Sequence, residues 1–175
     1  MRRVLIAIVA AAAMLVAGCQ TVKHDTPSGK PEVSIRAPSK DVKTALVGTL
    51  VNLGYSIKHD SDFQIVLERP VDNVMANVLL GSQYDPAVEA RVTATFLEMN
   101  GSTRVISELG IVRNGGSAFE QVDNFNNSRD SQGIQNIMAD IKVGLEARKP
   151  LAQVVADAVT ASELRKAEAQ KKKAS

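Results

Sequence analysis

Asn100-Gly101, set between two runs that alternate apolar and polar residues, constrains the fold of this chain more than any other feature. The dipeptide supplies the positive φ angles of a two-residue type I′ turn, whose twist suits two adjoining antiparallel strands. Such a turn fixes the register. If Met99 pairs with Ser102, paired residue numbers sum to 201, so Phe96 faces Val105, Val92 faces Leu109 and Ala90 faces Ile111, with Val88 on the same side. The reverse side then carries Glu89, Arg91, Thr93 and Thr95 opposite Val112, Gly110, Glu108 and Ile106. One face is apolar and the other largely wet, as an antiparallel sheet requires.

The remaining elements follow from period and punctuation. Val33 and Ile35 alternate with polar neighbours in a short strand that ends near Pro38. Ser39 caps a helix with Asp41 at its positive end, and Val42, Ala45, Leu46, Leu50 and Leu53 recur at helical spacing before Gly54 provides a left-handed exit. Tyr55 and Ile57, then Phe63, Ile65 and Leu67, form a hairpin about Asp60-Ser61-Asp62. Pro70 opens a second helix with Val71, Val74, Met75, Val78 and Leu79 on one side. After Asn114-Gly115-Gly116 comes a long polar loop to residue 130, then a helix capped by Asp130 or Ser131 and marked by Ile134, Ile137, Met138, Ile141 and Leu145. Lys149-Pro150 stops it, and Leu151, Val154, Val155 and Ala158 begin a last helical pattern.

These elements give an α+β fold of order β-α-β-β-α-β-β-α-α: a mainly antiparallel sheet with helices packed on one face, in two layers. Residues 32–160 form the single domain. Residues 20–31 read as a flexible tether, which as a free coil spans roughly 20 Å. Residues 161–175 read as a charged, basic tail, with five Lys and Arg against two Glu from Glu163 onward.

The N-terminus determines the compartment. Arg2-Arg3, an apolar run from Val4 to Leu15 and small residues ahead of Cys19 are the parts of a secretory signal peptide, too short to span a bilayer. Val16-Ala17-Gly18-Cys19 resembles the bacterial lipobox. The resemblance implies cleavage between Gly18 and Cys19, a diacylglycerol thioether on Cys19 and a further acyl chain on the new amino terminus. It also implies residence in the outer membrane, since Gln20 rather than Asp follows the cysteine; the inner membrane or the cell surface applies if the source lacks an outer membrane or sorts differently. Two or three acyl chains make such an anchor effectively permanent. Lipobox, polar stretch and small α+β domain together are similar in architecture to outer-membrane assembly and secretion accessory lipoproteins.

Composition narrows the classes further. Loss of residues 1–18 from 175 leaves 157 and removes Arg2 and Arg3, so 19 basic residues balance 19 acidic ones. A neutral chain argues against nucleic acid as a partner. Cys19 is the sole cysteine, so no internal disulfide forms and the core carries the stability.

Candidate chemistry is sparse. His59, Asp60 and Asp62 stand together, but the other histidine, His24, lies in the polar stretch, so a hairpin tip accounts for them better than a metal. A calcium loop starting at Asp123 needs Gly at its sixth place and Glu at its twelfth, where Ser128 and Ile134 stand. Ser117 follows two glycines without completing Gly-x-Ser-x-Gly, and Glu98 and Glu108 are a generic acidic pair. No catalytic residue, metal or cofactor is assigned. Phe119 and Phe125 in the polar loop are the candidate partner contacts, or else they fold back over the sheet edge.

The expected function is a non-catalytic, periplasm-facing lipoprotein. It is held to the membrane through Cys19 and acts as an adaptor or structural accessory in an envelope assembly, secretion or DNA-transfer complex, with an envelope protein as partner. The alternatives are a small-ligand or lipid-binding module with its pocket between sheet and helices, and a small envelope hydrolase.

Overall fold

A computed structural model describes residues 22–71 and 88–174. In chain order the elements are β1 (Glu32–Ile35), α1 (Ser39–Asn52), β2 (Ser56–Asp60), β3 (Gln64–Pro70), β4 (Glu89–Met99), β5 (Ser102–Arg113), β6 (Gln121–Asn124), α2 (Arg129–Glu146) and α3 (Leu151–Ala174). Asn100 and Gly101 take φ of 51° and 73°, the left-handed values a type I′ turn needs. The hairpin they close has the expected register: all eleven β4–β5 pairs, from Glu89 opposite Val112 to Met99 opposite Ser102, sum to 201. The signal peptide, Gly18, Cys19 and the helix expected after Pro70 lie outside the described residues.

The fold is α+β, with a six-stranded antiparallel sheet. Strands run β2-β3-β4-β5 across it, and β1 and β6 share the far edge of β5, one pairing with residues 103–106 and the other with 110–113. The helices cover one face. Ile35, Leu46, Leu50, Ile65, Leu67, Val92, Phe96, Val105, Met138 and Ile141 are almost wholly buried between α1, α2 and the sheet. Full burial of one such side chain contributes about 1.5–3 kcal/mol, so this layer holds the domain together. The third helix, α3, lies over α1 and α2, placing Val155 beside Gly48 and Val154 beside Gly144.

The edge at β1 is capped by side chains of α2. Gln135 accepts from the Glu32 amide at 2.7 Å and donates to the Glu32 carbonyl at 3.1 Å, and Lys142 donates to the Ser34 carbonyl at 2.8 Å. Backbone groups that would otherwise template another strand are satisfied from within.

Several local expectations give way to specific bonds. Pro38, not Ser39, occupies the cap position of α1; the Ser39 amide bonds instead to the Glu98 carboxylate at 2.7 Å. Ser128, rather than Asp130 or Ser131, caps α2, its hydroxyl accepting from the Ser131 amide. The loop expected from 114 to 130 contains β6, because Gly110 has no side chain and leaves room for Val122 and the backbone of Asp123 to approach. The charged segment expected to be a tail continues α3 to Ala174. Its Ala, Glu, Lys, Gln and Arg residues are strong helix formers with no Gly or Pro among them, and Arg165 pairs with Asp140 of α2.

The polar segment ahead of β1 departs furthest from expectation. From Val22 onward it is docked rather than free. The Val22 amide donates to the Asn127 carbonyl at 2.8 Å, and the Ser107 amide donates to the Pro31 carbonyl at 2.8 Å. His24 is 5% exposed, with Nε2 3.0 Å from the Asn126 carbonyl oxygen and 2.8 Å from the Ser131 hydroxyl. Composition alone hides such bonds, since their partners are far apart in sequence, by more than a hundred positions for those of His24.

Candidate functional site

The face of the sheet away from the helices carries the polar residues that the register places there, and it carries the candidate site. Glu68 of β3 stands opposite Arg91 of β4. Ser56 of β2 stands opposite Glu68, so alternation puts Lys58, two residues on, on the same side, just where the β2–β3 register slips between Ile57 and His59. Arg91 meets Glu68 at 2.5 Å and Glu120 at 2.7 Å, and Lys58 lies 3.1 Å from Glu68 and 3.8 Å from Glu89. These five charges, with Val112, Gly115 and Gly116, line an open cleft of about 460 Å³. A second cleft of about 260 Å³ shares Arg91 and continues along the same face past Thr93 and Glu108 to Asn124. This face is less wet than expected, because Glu68 and Val112 are buried on it.

The electrostatics of the cluster are those of fixed charge. Burial by itself would raise the Glu68 pKa, but hydrogen bonds from Arg91 and Lys58 outweigh it and hold the carboxyl below its ordinary range. Arg91, with a backbone contact from Gly116, lowers Glu120, while the bond to Glu68 raises Lys58. Arg91 itself is raised, by Glu120 before Glu68. A general acid or base needs a pKa moved toward neutrality. Each of these groups moves the other way and stays charged, so the cluster ties β2, β3 and β4 to the β5–β6 connection.

That connection displays Phe119. Arg91 grips Glu120, whose carboxylate also accepts from the Gly116 amide at 3.0 Å. Ser117 donates its hydroxyl to the Asn114 carbonyl at 2.7 Å and accepts from the Phe119 amide at 3.1 Å. Gly116 takes φ of 73°, which side chains rarely adopt. The turn is therefore fixed from several directions, and it leaves Phe119 79% exposed. Phe125 does otherwise: it is half-buried against the core. The two aromatics do not form one patch, and only Phe119 is presented outward.

The other singled-out residues stand apart from the cleft or pair elsewhere. Asp60 pairs with Lys43 and His59 is exposed at the edge strand. Asp123 lies in β6 and pairs with Arg113 at 2.8 Å. Glu98 bonds at the start of α1, whereas Glu108, on the opposite face, pairs with Lys30 at 2.5 Å. Among the described residues no group of three or more His, Cys, Asp or Glu is placed to hold a metal, and no helix is long and apolar enough to cross a membrane. Both clefts lie on the face away from the helices, not between sheet and helices.

Sequence reasoning missed Lys58, Glu68 and Glu120. Pairing β3 with β4 would have set Glu68 opposite Arg91; Glu120 had no local signal. No family model matches the chain, and no curated protein or solved structure matches it.

Proposed function

We propose that the chain is a non-catalytic lipoprotein, anchored through Cys19 at the periplasmic side of the outer membrane, that serves as an adaptor or structural accessory in an envelope assembly, secretion or DNA-transfer complex. The observation that carries the reading is Phe119: a large aromatic side chain, 79% exposed, on a turn fixed by the Glu120–Arg91 pair. An aromatic on a turn fixed in advance makes an effective contact point, because little backbone freedom remains to be lost on binding and its side chain has only two rotatable bonds to order. The lipobox residues Val16 to Cys19 support the location, and the inward-paired charges of the cleft support a structural rather than chemical role.

Crosslinking in intact cells, followed by capture of the chain and identification of its partners, tests this. An envelope protein is recovered with the unaltered chain. Recovery falls at least tenfold with Phe119→Ala and is unchanged with Phe63→Ala, another largely exposed aromatic at 70%. No envelope protein in the capture, or equal recovery with Phe119→Ala, overturns the reading.

A further inference from the structure

The anchor and the docked N-terminal segment together set how the domain meets the bilayer. Val22 is bonded to the Asn127 carbonyl where β6 gives way to α2, and His24 is buried two residues on. Only Gln20 and Thr21 stand between Cys19 and Val22. Three residue steps span at most about 11 Å even when fully extended. A free twelve-residue coil would have allowed roughly 20 Å and any orientation.

We infer that Val22–Pro31 is a strap that seats the Asn127 end of the domain, at the β1–β6 edge of the sheet, directly on the lipid headgroups. The inference rests on the lipid anchor of the proposed function and specifies its geometry. Between Val22 and a lipid-modified Cys19 there are too few residues to let that edge move away from the membrane. Across the sheet, β2 lies four strand spacings from β6, roughly 19 Å farther from the membrane. The sheet therefore stands edge-on, with its open face and Phe119 accessible from the side.

The sole cysteine makes the test direct, since thioether modification of Cys19 leaves any introduced cysteine as the single labelling site. Asn127→Cys and His59→Cys change exposed side chains, and Asn127 holds Val22 through its backbone. Each full-length variant, taken from membranes with Cys19 acylation established by intact mass, is labelled with a small fluorophore. It is then placed in phosphatidylethanolamine–phosphatidylglycerol vesicles bearing a headgroup quencher. The Asn127→Cys label is quenched several-fold more than the His59→Cys label, and a twelve-residue Gly-Ser insertion between Thr21 and Val22 removes the difference. Equal quenching in acylated protein without the insertion overturns the strap while leaving the anchor standing. An unmodified Cys19 overturns the anchor and the strap with it.

Discussion

His24 and Asn126, 102 positions apart in sequence, meet at 3.0 Å where the N-terminal segment crosses the start of α2. The Ser131 hydroxyl, which donates to the same carbonyl at 2.6 Å, closes a buried polar triangle. This contact converts a stretch of Thr, Lys, Asp, Ser and Pro into part of the domain. A buried polar group stripped of its partner costs about 1–3 kcal/mol. His24→Ala removes the buried ring and its bonds while Ser131 still satisfies the Asn126 carbonyl, so unfolding stability falls by about 1 kcal/mol, the net worth of a typical hydrogen bond, and the Val22 amide loses its protection from hydrogen exchange while β4 and β5 amides keep theirs.

Arg91 is the keystone of the opposite face. It holds Glu68, 3% exposed, and Glu120, on the turn that carries Phe119. Arg91→Ala leaves Glu68 paired with Lys58 alone among the cations around it, and a broken buried pair costs roughly 3–5 kcal/mol. Denaturant unfolding shows a loss toward the lower end of that range. Arg91→Ala with Glu68→Gln recovers part of it, because the uncompensated charge is gone.

Acid weakens the fold through the same carboxylates. Glu32, held by Arg104, together with Glu68, Glu120 and Glu146, has a pKa below the ordinary value in the folded chain. A depressed carboxylate stabilises the native state above its unfolded pKa, about 4.3, and that contribution is lost as pH falls through the folded value. The denaturant midpoint is accordingly level between about pH 7 and 5.5 and declines below roughly pH 4.5. Glu68→Gln shallows the decline.

Gly144 lets α3 approach α2 closely. A methyl group there would stand 2.9 Å from Cγ2 and 3.0 Å from Cγ1 of Val154, a residue 1% exposed with little room to move. Overpacking of that kind costs about 1–3 kcal/mol, against a gain of about 1 from alanine's better helix propensity. Gly144→Ala thus lowers Tm, and Gly144→Ala with Val154→Ala relieves the clash but loses the valine's burial. Gly133→Ala, with open space around the new methyl, does not lower Tm.

How much of this was legible depended on whether the cause was local. Asn100-Gly101 dictates its own turn, and from it come the β4–β5 register and the buried face of Val92, Phe96, Val105 and Leu109. The helical stripes at Val42–Leu50 and Ile134–Ile141 were equally plain, because a 3.6-residue period is written in consecutive residues. What escaped was nonlocal. Nothing around His24 announces Asn126, nothing around Glu120 announces Arg91, and β6 forms because Gly110, on a different strand, leaves space for it. Phe119 and Phe125 were indistinguishable in sequence, and only packing separates the exposed one from the one against the core.

The proposed lipid anchor at Cys19 is what would hold the strap, and the domain with it, at the membrane. Intact-mass analysis of the chain extracted from the membranes of its own cells tests it most directly. The prediction is a polypeptide that begins at Cys19, lacks residues 1–18 and carries two or three fatty acyl chains on that residue. A chain with its leader uncut and a free thiol at Cys19 contradicts it.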